Sequence, residues 1–370
     1  MNFKMVQLNQ LCSWVDEKVA LSSLDCDTYV STENMLKNRG GICLASSVPE
    51  GGNAQAFKCG DILISNIRPY FKKIWMAKCS GGCSNDVLVL RSKPDVNALW
   101  LYYVLSSDDF FDYDTANSGG GKMPRGSKSA IMKYEVTVPD IEVQQKMAEV
   151  LRSYDVAIGN NRCRIALLEK MARELYRERF VRRVGKDQAT FSLEQIAKFV
   201  RGRVIVKDAT KPGGVPVVAG GLEPAYYHDT ANTEAPVVTV SGSGANAGFA
   251  RMYFEKVWAS DCSWVDATTT KYIRFVYCFL RDKDAELRNA QKGAAQPHVH
   301  AKDVNVLVVT AGEERIAEFE NIVTPLFDEL ANLTFQNRNL ARQRDRLLPR
   351  LMSGKIDLDK LVKGEEVENG

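Results

Sequence analysis

Histidine and catalytic motifs are scarce in this chain of 370 residues. Only His228, His298 and His300 are present, and the nine cysteines include no Cys-x-x-Cys pair. A structural zinc site needs four such ligands, usually in closely spaced pairs, so we expect none. The cysteines are odd in number and scattered, which favours reduced thiols in a cytoplasmic protein over a disulfide scaffold.

Long hydrophobic runs and a strong excess of one charge are also missing. No run of about 18 apolar residues occurs, and the first eleven residues lack the apolar core of a signal peptide. We therefore expect an intracellular protein that does not contact a membrane. The 49 basic and 46 acidic side chains nearly cancel, so any nucleic acid has to be bound by local basic patches.

The familiar active-site motifs are absent as well. Gly119-Gly-Gly-Lys122 is followed by Met123 where a phosphate loop needs Ser or Thr. The glycines of 242–248 precede a segment that alternates like a strand, whereas a dinucleotide site needs a helix there. No Asn-Pro-Pro-Tyr or Asp-Pro-Pro-Tyr methyltransferase tetrapeptide and no catalytic triad context is found. We predict no catalytic, cofactor-binding or metal-binding residues.

The chain does contain one internal repeat. In each half an aromatic-rich segment leads to an asparagine, a glycine-containing loop with a proline, an apolar strand and a long helix. Asn117 and Asn289 are 172 residues apart, and Pro124 and Pro297 are 173 apart, so one insertion keeps the register. A single repeat of this length indicates a duplicated domain pair.

Each half is predicted to be an α+β globule. Short apolar segments separated by Gly, Pro, Asn and Ser indicate strands, and helices are expected near 97–112 and 271–288. This mixture is unlike a parallel, doubly wound sheet. The predicted strands include residues 61–65, 87–90, 135–139, 236–241, 249–254 and 305–309.

Two heptad seams predict a pair of long helices. Apolar residues recur at alternating intervals of four and three, and an amphipathic helix lying on its own domain would show a wider stripe. Two seams in one chain most simply bury each other, as an antiparallel intramolecular coiled coil of about 40 residues per helix, or about 60 Å. The seam positions are Met147, Leu151, Tyr154, Ile158, Asn161, Ile165, Leu168, Ala172, Leu175 and Arg179 in the first helix, and Ile316, Phe319, Val323, Leu326, Leu330, Leu333, Asn337, Leu340, Arg344, Leu347 and Leu351 in the second.

Asn161 and Asn337 are the only amides on these seams. With the helix midpoints aligned they fall within about one turn of each other. A buried polar pair is costly unless hydrogen-bonded and is best known for fixing helix register, so we predict that the two asparagines face each other. The alternative is that each points into a groove or towards a partner subunit.

Basic and amide side chains cluster in glycine-flanked loops with aromatic neighbours, which is typical of DNA binding. Arg, Asn and Gln read base edges, whereas Lys and backbone N–H groups suit phosphates. The alternative for each residue singly is a solvated surface charge. We predict DNA contacts from Asn66, Arg68, Tyr70, Lys72, Lys73, Lys122, Arg125, Lys128, Arg201, Arg203, Ser243, Asn246, Arg251, Lys292, Gln296, His298, His300 and Lys302.

Several of these segments resemble the specificity (S) subunits of type I restriction-modification enzymes. Leu347-Leu-Pro-Arg-Leu-Met-Ser-Gly-Lys-Ile356 is similar to the C-terminal repeat signature of that family, and 138–147 is similar to the entry into its central repeat. Gly60–Ser65 and Gly293–Pro297 resemble a strand and a DNA-facing loop of its target recognition domains.

The resemblance implies two target recognition domains that alternate with two paired helices. The expected segments are a first recognition domain 1–141, a central helix 142–183, a second recognition domain 184–312, a C-terminal helix 313–353 and a tail 354–370. Each domain would recognise one half of a bipartite sequence in double-stranded DNA, while the helices set the spacer.

The resemblance also implies partners. The helices would dock modification (methyltransferase) subunits, expected to be two, and restriction/translocase subunits would join the complex. S-adenosylmethionine, ATP and Mg would then belong to the partners and none to this chain. Two alternatives stay open: a coiled-coil adapter for protein interactions, and a DNA-recognition subunit of another defence or methylation system.

Overall fold

The computed structural model describes residues 4–182, 189–289 and 297–352. These residues form two compact units. The first unit comprises 1–159 with 338–370, and the second comprises 160–337. Both long helices contribute to both units.

Within its described residues, the first unit contains ten strands in three sheets. The orders are β1-β10, β2-β9-β6-β7 and β3-β5-β8-β4, and only the β4-β8 pair is parallel. The strands are β1 Lys4–Gln7, β2 Cys12–Trp14, β3 Lys18–Ala20, β4 Tyr29–Val30, β5 Asn53–Phe57, β6 Ile62–Ser65, β7 Ile74–Met76, β8 Gly81–Cys83, β9 Val87–Ser92 and β10 Glu135–Val138.

The second unit repeats this arrangement with nine strands. The orders are β11-β19, β12-β18-β15-β16 and β14-β13-β17, with β13-β17 the parallel pair. The strands are β11 Thr190–Ser192, β12 Val200–Arg201, β13 Val215–Val218, β14 Tyr226–His228, β15 Val237–Ser241, β16 Ala250–Tyr253, β17 Trp258–Ala259, β18 Cys262–Asp266 and β19 Val308–Thr310.

The described residues also contain eight α-helices. They are α1 Ala98–Leu105, α2 Asp108–Ala116, α3 Lys128–Ile131, α4 Ile141–Arg177, α5 Ile273–Asp282, α6 Asp284–Asn289, α7 Ala301–Asn305 and α8 Glu313–Met352. A π turn, Glu178–Arg182, ends α4. Single 3₁₀ turns occur at Leu8–Gln10, Leu21–Ser23, Pro69–Phe71, Leu193–Gln195, Lys207–Ala209 and Gly244–Asn246.

The four-stranded antiparallel sheets position the loops that carry predicted DNA contacts. Strands β6 and β15 occupy equivalent places in the two sheets, and every residue of both is buried. A strand covered on both faces is expected to be continuously apolar, which explains Ile-Leu-Ile and Val-Val-Thr-Val. Helices α1 and α5 each supply large buried side chains, Trp100 from α1 and Phe275 from α5.

The α+β prediction is confirmed, but three of its local details are wrong. The helix expected over 271–288 is divided at Lys283 into α5 and α6. The helix expected over 97–112 is broken, because Ser107 accepts a hydrogen bond from Phe110 N at 3.1 Å and so caps a new helix. The strand expected over 305–309 begins only at Val308. Asn305 instead ends α7, and its buried amide bonds both backbone groups of Phe199, at 2.8 and 3.0 Å.

The two long helices pair antiparallel, as predicted. In the second unit Arg164 bonds Glu329 and Arg179 bonds Glu318, so residue numbers rise along one helix as they fall along the other. In the first unit Arg344 bonds Asp155. No predicted seam position is exposed on either helix.

The register contact differs from the predicted one. Asn161 is 8% exposed and donates from Nδ2 to Gln336 Oε1 at 3.4 Å, not to Asn337. Asn337 Oδ1 is buried without a hydrogen-bond partner. Gln336 itself is exposed and can bond to water, so replacing Asn161 would not leave it without a hydrogen-bond partner.

Asn337→Leu is therefore expected to raise the free energy of unfolding by about 1 kcal/mol, because it removes a buried acceptor that lacks a donor. Chemical denaturation of the full chain measures this. Asn332→Leu is the control, since Asn332 is exposed one turn away and bonds Glu329 and Gln336. It should change stability by less than about 0.5 kcal/mol. Destabilisation by Asn337→Leu would contradict this account.

Candidate nucleic-acid interface

In the first unit, two of the predicted DNA-contact segments lie together. The loop after β6 bonds the loop before α3 through Arg68 N to Pro124 O at 2.8 Å and Gly126 N to Asn66 O at 3.0 Å. Arg68 has a left-handed backbone, with φ of 54°. The residues 66–73 and 117–127, which we call the first loop pair, are thus joined by backbone bonds although they are distant in sequence.

The second unit makes the same pair of bonds. Gly244 N donates to Pro297 O at 3.1 Å, and Val299 N donates to Gly242 O at 3.1 Å. Gly244 also has a left-handed backbone, with φ of 76°. The residues 242–248 and 297–300 form the second loop pair, and Pro124 and Pro297 accept equivalent bonds in the two units.

The predicted side chains of the first loop pair fall into two groups. Tyr70 is 45% exposed, and Lys122, Arg125 and Lys128 are exposed, although Arg125 also pairs with Asp86 at 3.0 Å. The other four side chains are half-buried. Lys72 pairs with Asp108, Lys73 Nζ donates to Thr32 O at 2.5 Å, and buried atoms of Asn66 and Arg68 lack partners.

The structure adds two basic residues that the sequence analysis missed. Lys37 Nζ lies 4.1 Å from the Phe71 ring centroid, and Arg39 pairs with Asp108 beside Lys72. Both come from Lys37-Asn-Arg-Gly-Gly41, a basic segment next to glycines. That is the same signal that identified the other loops, so it was sufficient to include these residues.

In the second unit, four predicted residues line one cleft of about 500 Å³. Arg201, His298, His300 and Lys302 face it together with Asp261 and Ser263. The two imidazole rings are nearly parallel, with centroids 6.0 Å apart. The Arg201 and Lys302 cations and the N–H donors of the two imidazoles face one cleft, an arrangement suited to an anion.

The remaining predicted residues of the second unit bond to the protein itself. Ser243 Oγ donates to Asp261, Asn246 Nδ2 donates to Gly220 O at 3.4 Å, and Arg251 donates to Leu222 O. The Arg203 guanidinium lies 6.0 Å from the Trp258 ring centroid. Lys292 and Gln296 lie outside the described residues.

The described ranges contain neither a candidate metal-binding cluster nor a helix suited to a membrane. Within them, no group of three or more His, Cys, Asp or Glu side chains is arranged to hold a metal ion. None of the helices described combines the length and apolar content that crossing a bilayer requires.

Comparison with known proteins gives the family. Residues 5–170 match the family described as type I restriction modification DNA specificity domain. The MjaIX specificity subunit of Methanocaldococcus jannaschii is 24% identical over 309 residues, which cover 73% of this chain and 71% of the relative. The HindI specificity subunit of Haemophilus influenzae is 27% identical over 163 residues, covering 41% and 35%.

The chain belongs to the specificity-subunit family of type I restriction-modification enzymes. The fold agrees, since the S subunit of M. genitalium superposes with a TM-score of 0.57 at 16% identity, covering 95% of this chain and 96% of that one. By family it is a DNA specificity subunit of a type I complex, non-catalytic and without a cofactor of its own.

A buried acid lies beneath the first loop pair of this specificity subunit. Asp114 is 1% exposed and neither carboxylate oxygen has a hydrogen-bond partner. A Cβ on Gly126 would lie 2.5 Å from Asp114 Oδ1 and 3.2 Å from Asn66 Oδ1, so the loop backbone approaches both acceptors closely. Burial raises the pKa of Asp114 to about 6.

The specificity subunit should accordingly lose stability as the pH rises. A raised pKa means that the folded state holds the proton more tightly than the unfolded chain. The stabilisation is complete below the ordinary pKa of 3.8 and is lost as the pH rises through about 6. Asp114→Asn keeps the neutral form, so it should be more stable than wild type at pH 8, by up to about 3 kcal/mol, and nearly equal to it at about pH 4.

Thermal unfolding at several pH values measures the difference. Asp112→Asn, on the exposed side of the same helix, is the matched control and should show no such pH-dependent gain. A gain for Asp114→Asn that did not change with pH would assign the effect to packing and not to the buried charge.

Proposed function

We propose that each unit recognises one half of a bipartite sequence in double-stranded DNA through its loop pair. The supporting observation is that both units build the same hydrogen-bonded loop pair at the end of the same central strand, with different side chains on it. The proposed recognition domains are 1–141 and 184–312, the helical segments 142–183 and 313–353, and the tail 354–370.

In the first domain, the exposed members Tyr70, Lys122, Arg125 and Lys128 are the proposed direct contacts. Asn66, Arg68, Lys72 and Lys73 lie among them, and their internal contacts hold the loop in shape while they complete the positive surface. Lysine and arginine side chains at such a surface bind phosphates, and arginine also reads guanine edges.

In the second domain, the cleft formed by Arg201, His298, His300 and Lys302 is the proposed centre of the interface. Arg203 extends it. Ser243, Asn246 and Arg251 hold the loop through their bonds to the backbone and to Asp261. Lys292 and Gln296 remain proposed contacts on the strength of the sequence alone.

We further propose the partners that the family implies. Two modification subunits would dock on the paired helices, and restriction/translocase subunits would complete the assembly. Methyl transfer from S-adenosylmethionine and ATP- and Mg-dependent translocation would take place on those subunits. A cytoplasmic location agrees with nine cysteines that are all unpaired.

Replacing residues 1–141 with the corresponding domain of another family member should change one half of the recognised sequence. The other half and the spacer length should stay the same, because the second loop pair is built entirely within the second unit. Sequencing of methylated adenines in host DNA reads the outcome. A change in both halves would show that the two domains do not read independently.

Inserting one heptad into each long helix should lengthen the preferred spacer without changing either half-site. A seven-residue insertion adds about 10 Å of helix and preserves the seam. Selection from duplexes with randomised spacers measures the preference. If the spacer did not change, the paired helices would not be what sets it.

A further inference from the structure

Three cations surround one phenylalanine in the first unit. Lys37 Nζ lies 4.1 Å, the Arg68 guanidinium carbon 5.8 Å and Lys73 Nζ 6.0 Å from the Phe71 ring centroid. We call these four residues the Phe71 cation cluster. Each cation is within the range of attraction to an aromatic face, but together they repel one another.

The backbone holds Lys37 against the first loop pair. Asn38 N donates to Phe71 O at 2.9 Å, and Arg39 N donates to Lys72 O at 2.8 Å. Asn38, Arg39, Arg68 and Lys72 all have left-handed backbones, with φ between 50° and 61°. Non-glycine residues in this region carry strain, which persists where the surrounding structure enforces it and is concentrated at functional sites.

The nearby carboxylates do not neutralise this cluster. Asp108 is shared by Arg39 and Lys72, and Asp86 pairs with Arg125. In the part of the chain that the structure describes, neither Lys37 nor Arg68 forms an ion pair, and Arg68 Nε is buried without a hydrogen-bond partner.

The electrostatics agree with an unbalanced positive site. Burial, and then the charge of Lys37, lower the pKa of Lys73, while Cys43 and Glu33 act more weakly in the opposite direction. Like charges that are held together by a strained backbone, with only the weaker influence of Glu33 against them, are stabilised when an anion is bound.

We propose that the Phe71 cation cluster binds one phosphate group of the DNA backbone, with Lys37 as a contact in addition to Arg68 and Lys73. This inference rests on the proposed function of the first unit. A phosphodiester fits better than a base because two of the three cations are ammonium groups, which act as point charges and lack the fork geometry that reads base edges, and Nε of the third, Arg68, is buried. The cluster therefore supplies affinity and position on the duplex and carries no sequence information.

The test is Lys37→Gln in the full chain assembled with its modification subunits. Binding to cognate and to random duplex is measured over a salt series. We expect similar losses of affinity on both duplexes, about tenfold at low salt, and a salt slope reduced by about one. Lys37→Arg should retain the slope. Lys58→Gln is the matched control, because Lys58 is exposed and already paired with Glu17 at 2.8 Å, and it should leave the slope unchanged.

The outcomes separate this inference from the proposed function. A wild-type complex without a steep salt slope would remove DNA binding and this inference together. A steep wild-type slope that Lys37→Gln leaves unchanged would remove this inference alone. A loss confined to cognate DNA would make Lys37 a base reader, which also contradicts the proposal.

Uncharged linkages in the DNA backbone identify which phosphate group the cluster contacts. One methylphosphonate placed at the contacted position of the first half-site should weaken wild type and not weaken Lys37→Gln further, since both changes remove the same interaction. Losses that add at every position would overturn the proposal. Free inorganic phosphate is the other source of the same ligand chemistry. Exchanging it for chloride at equal ionic strength tests whether the cluster binds it. If it stabilised wild type and not Lys37→Gln while their DNA affinities were equal, the cluster would be a free-phosphate site and the proposal wrong.

Discussion

The antiparallel contact between α4 and α8 is the interaction on which the rest of the structure depends. Each helix carries an apolar seam that is costly to expose over about ten turns, and seam residues of both helices share hydrophobic clusters with each other and with the core of the neighbouring domain. Because the two helices are separated by more than a hundred residues, covering the seams brings together segments of each unit that are far apart in the chain. The units are therefore closed structures, each containing one α+β domain and a portion of both helices.

The repeated loop pair shows how one backbone supports two different surfaces. The bond to Pro124 comes from Arg68, and the equivalent bond to Pro297 comes from Gly244. Glycine adopts a left-handed backbone at little cost, whereas arginine there is strained. The first domain thus carries a cation at a position where the second carries no side chain. This difference is expected if the backbone bonds are needed for the fold and the side chains for recognition.

The sequence alone was informative where the signal is periodic or repeated. Heptad spacing predicted both long helices and their pairing, since a seam requires a complementary surface, and Pro124 and Pro297 predicted the duplicated halves. Helix ends were less predictable. Ser107 starts a new helix through one side-chain bond, and Asn305 delays a strand through two bonds to Phe199, a residue 106 positions earlier. Such contacts between distant residues leave no local pattern.

The prediction of individual site residues is limited in the same way, by contacts between residues that are distant in the chain. Composition predicted basic loops but not which side chains are used inside the protein, because Ser243, Asn246 and Arg251 bond to groups 18 to 29 residues away. The glycines beside Lys37 were signal enough to include it among the basic loops, but its relation to Phe71 exists only once two loops meet. The acid under the same loops follows this logic. Asp114 is apparent as an unusual group only after the fold has removed its water and its partners, leaving a carboxyl group that is more stable neutral beneath a surface crowded with positive charge. Above about pH 6 this carboxylate is ionised without a hydrogen-bond partner, so the folded loops impose a cost that the unfolded chain does not have.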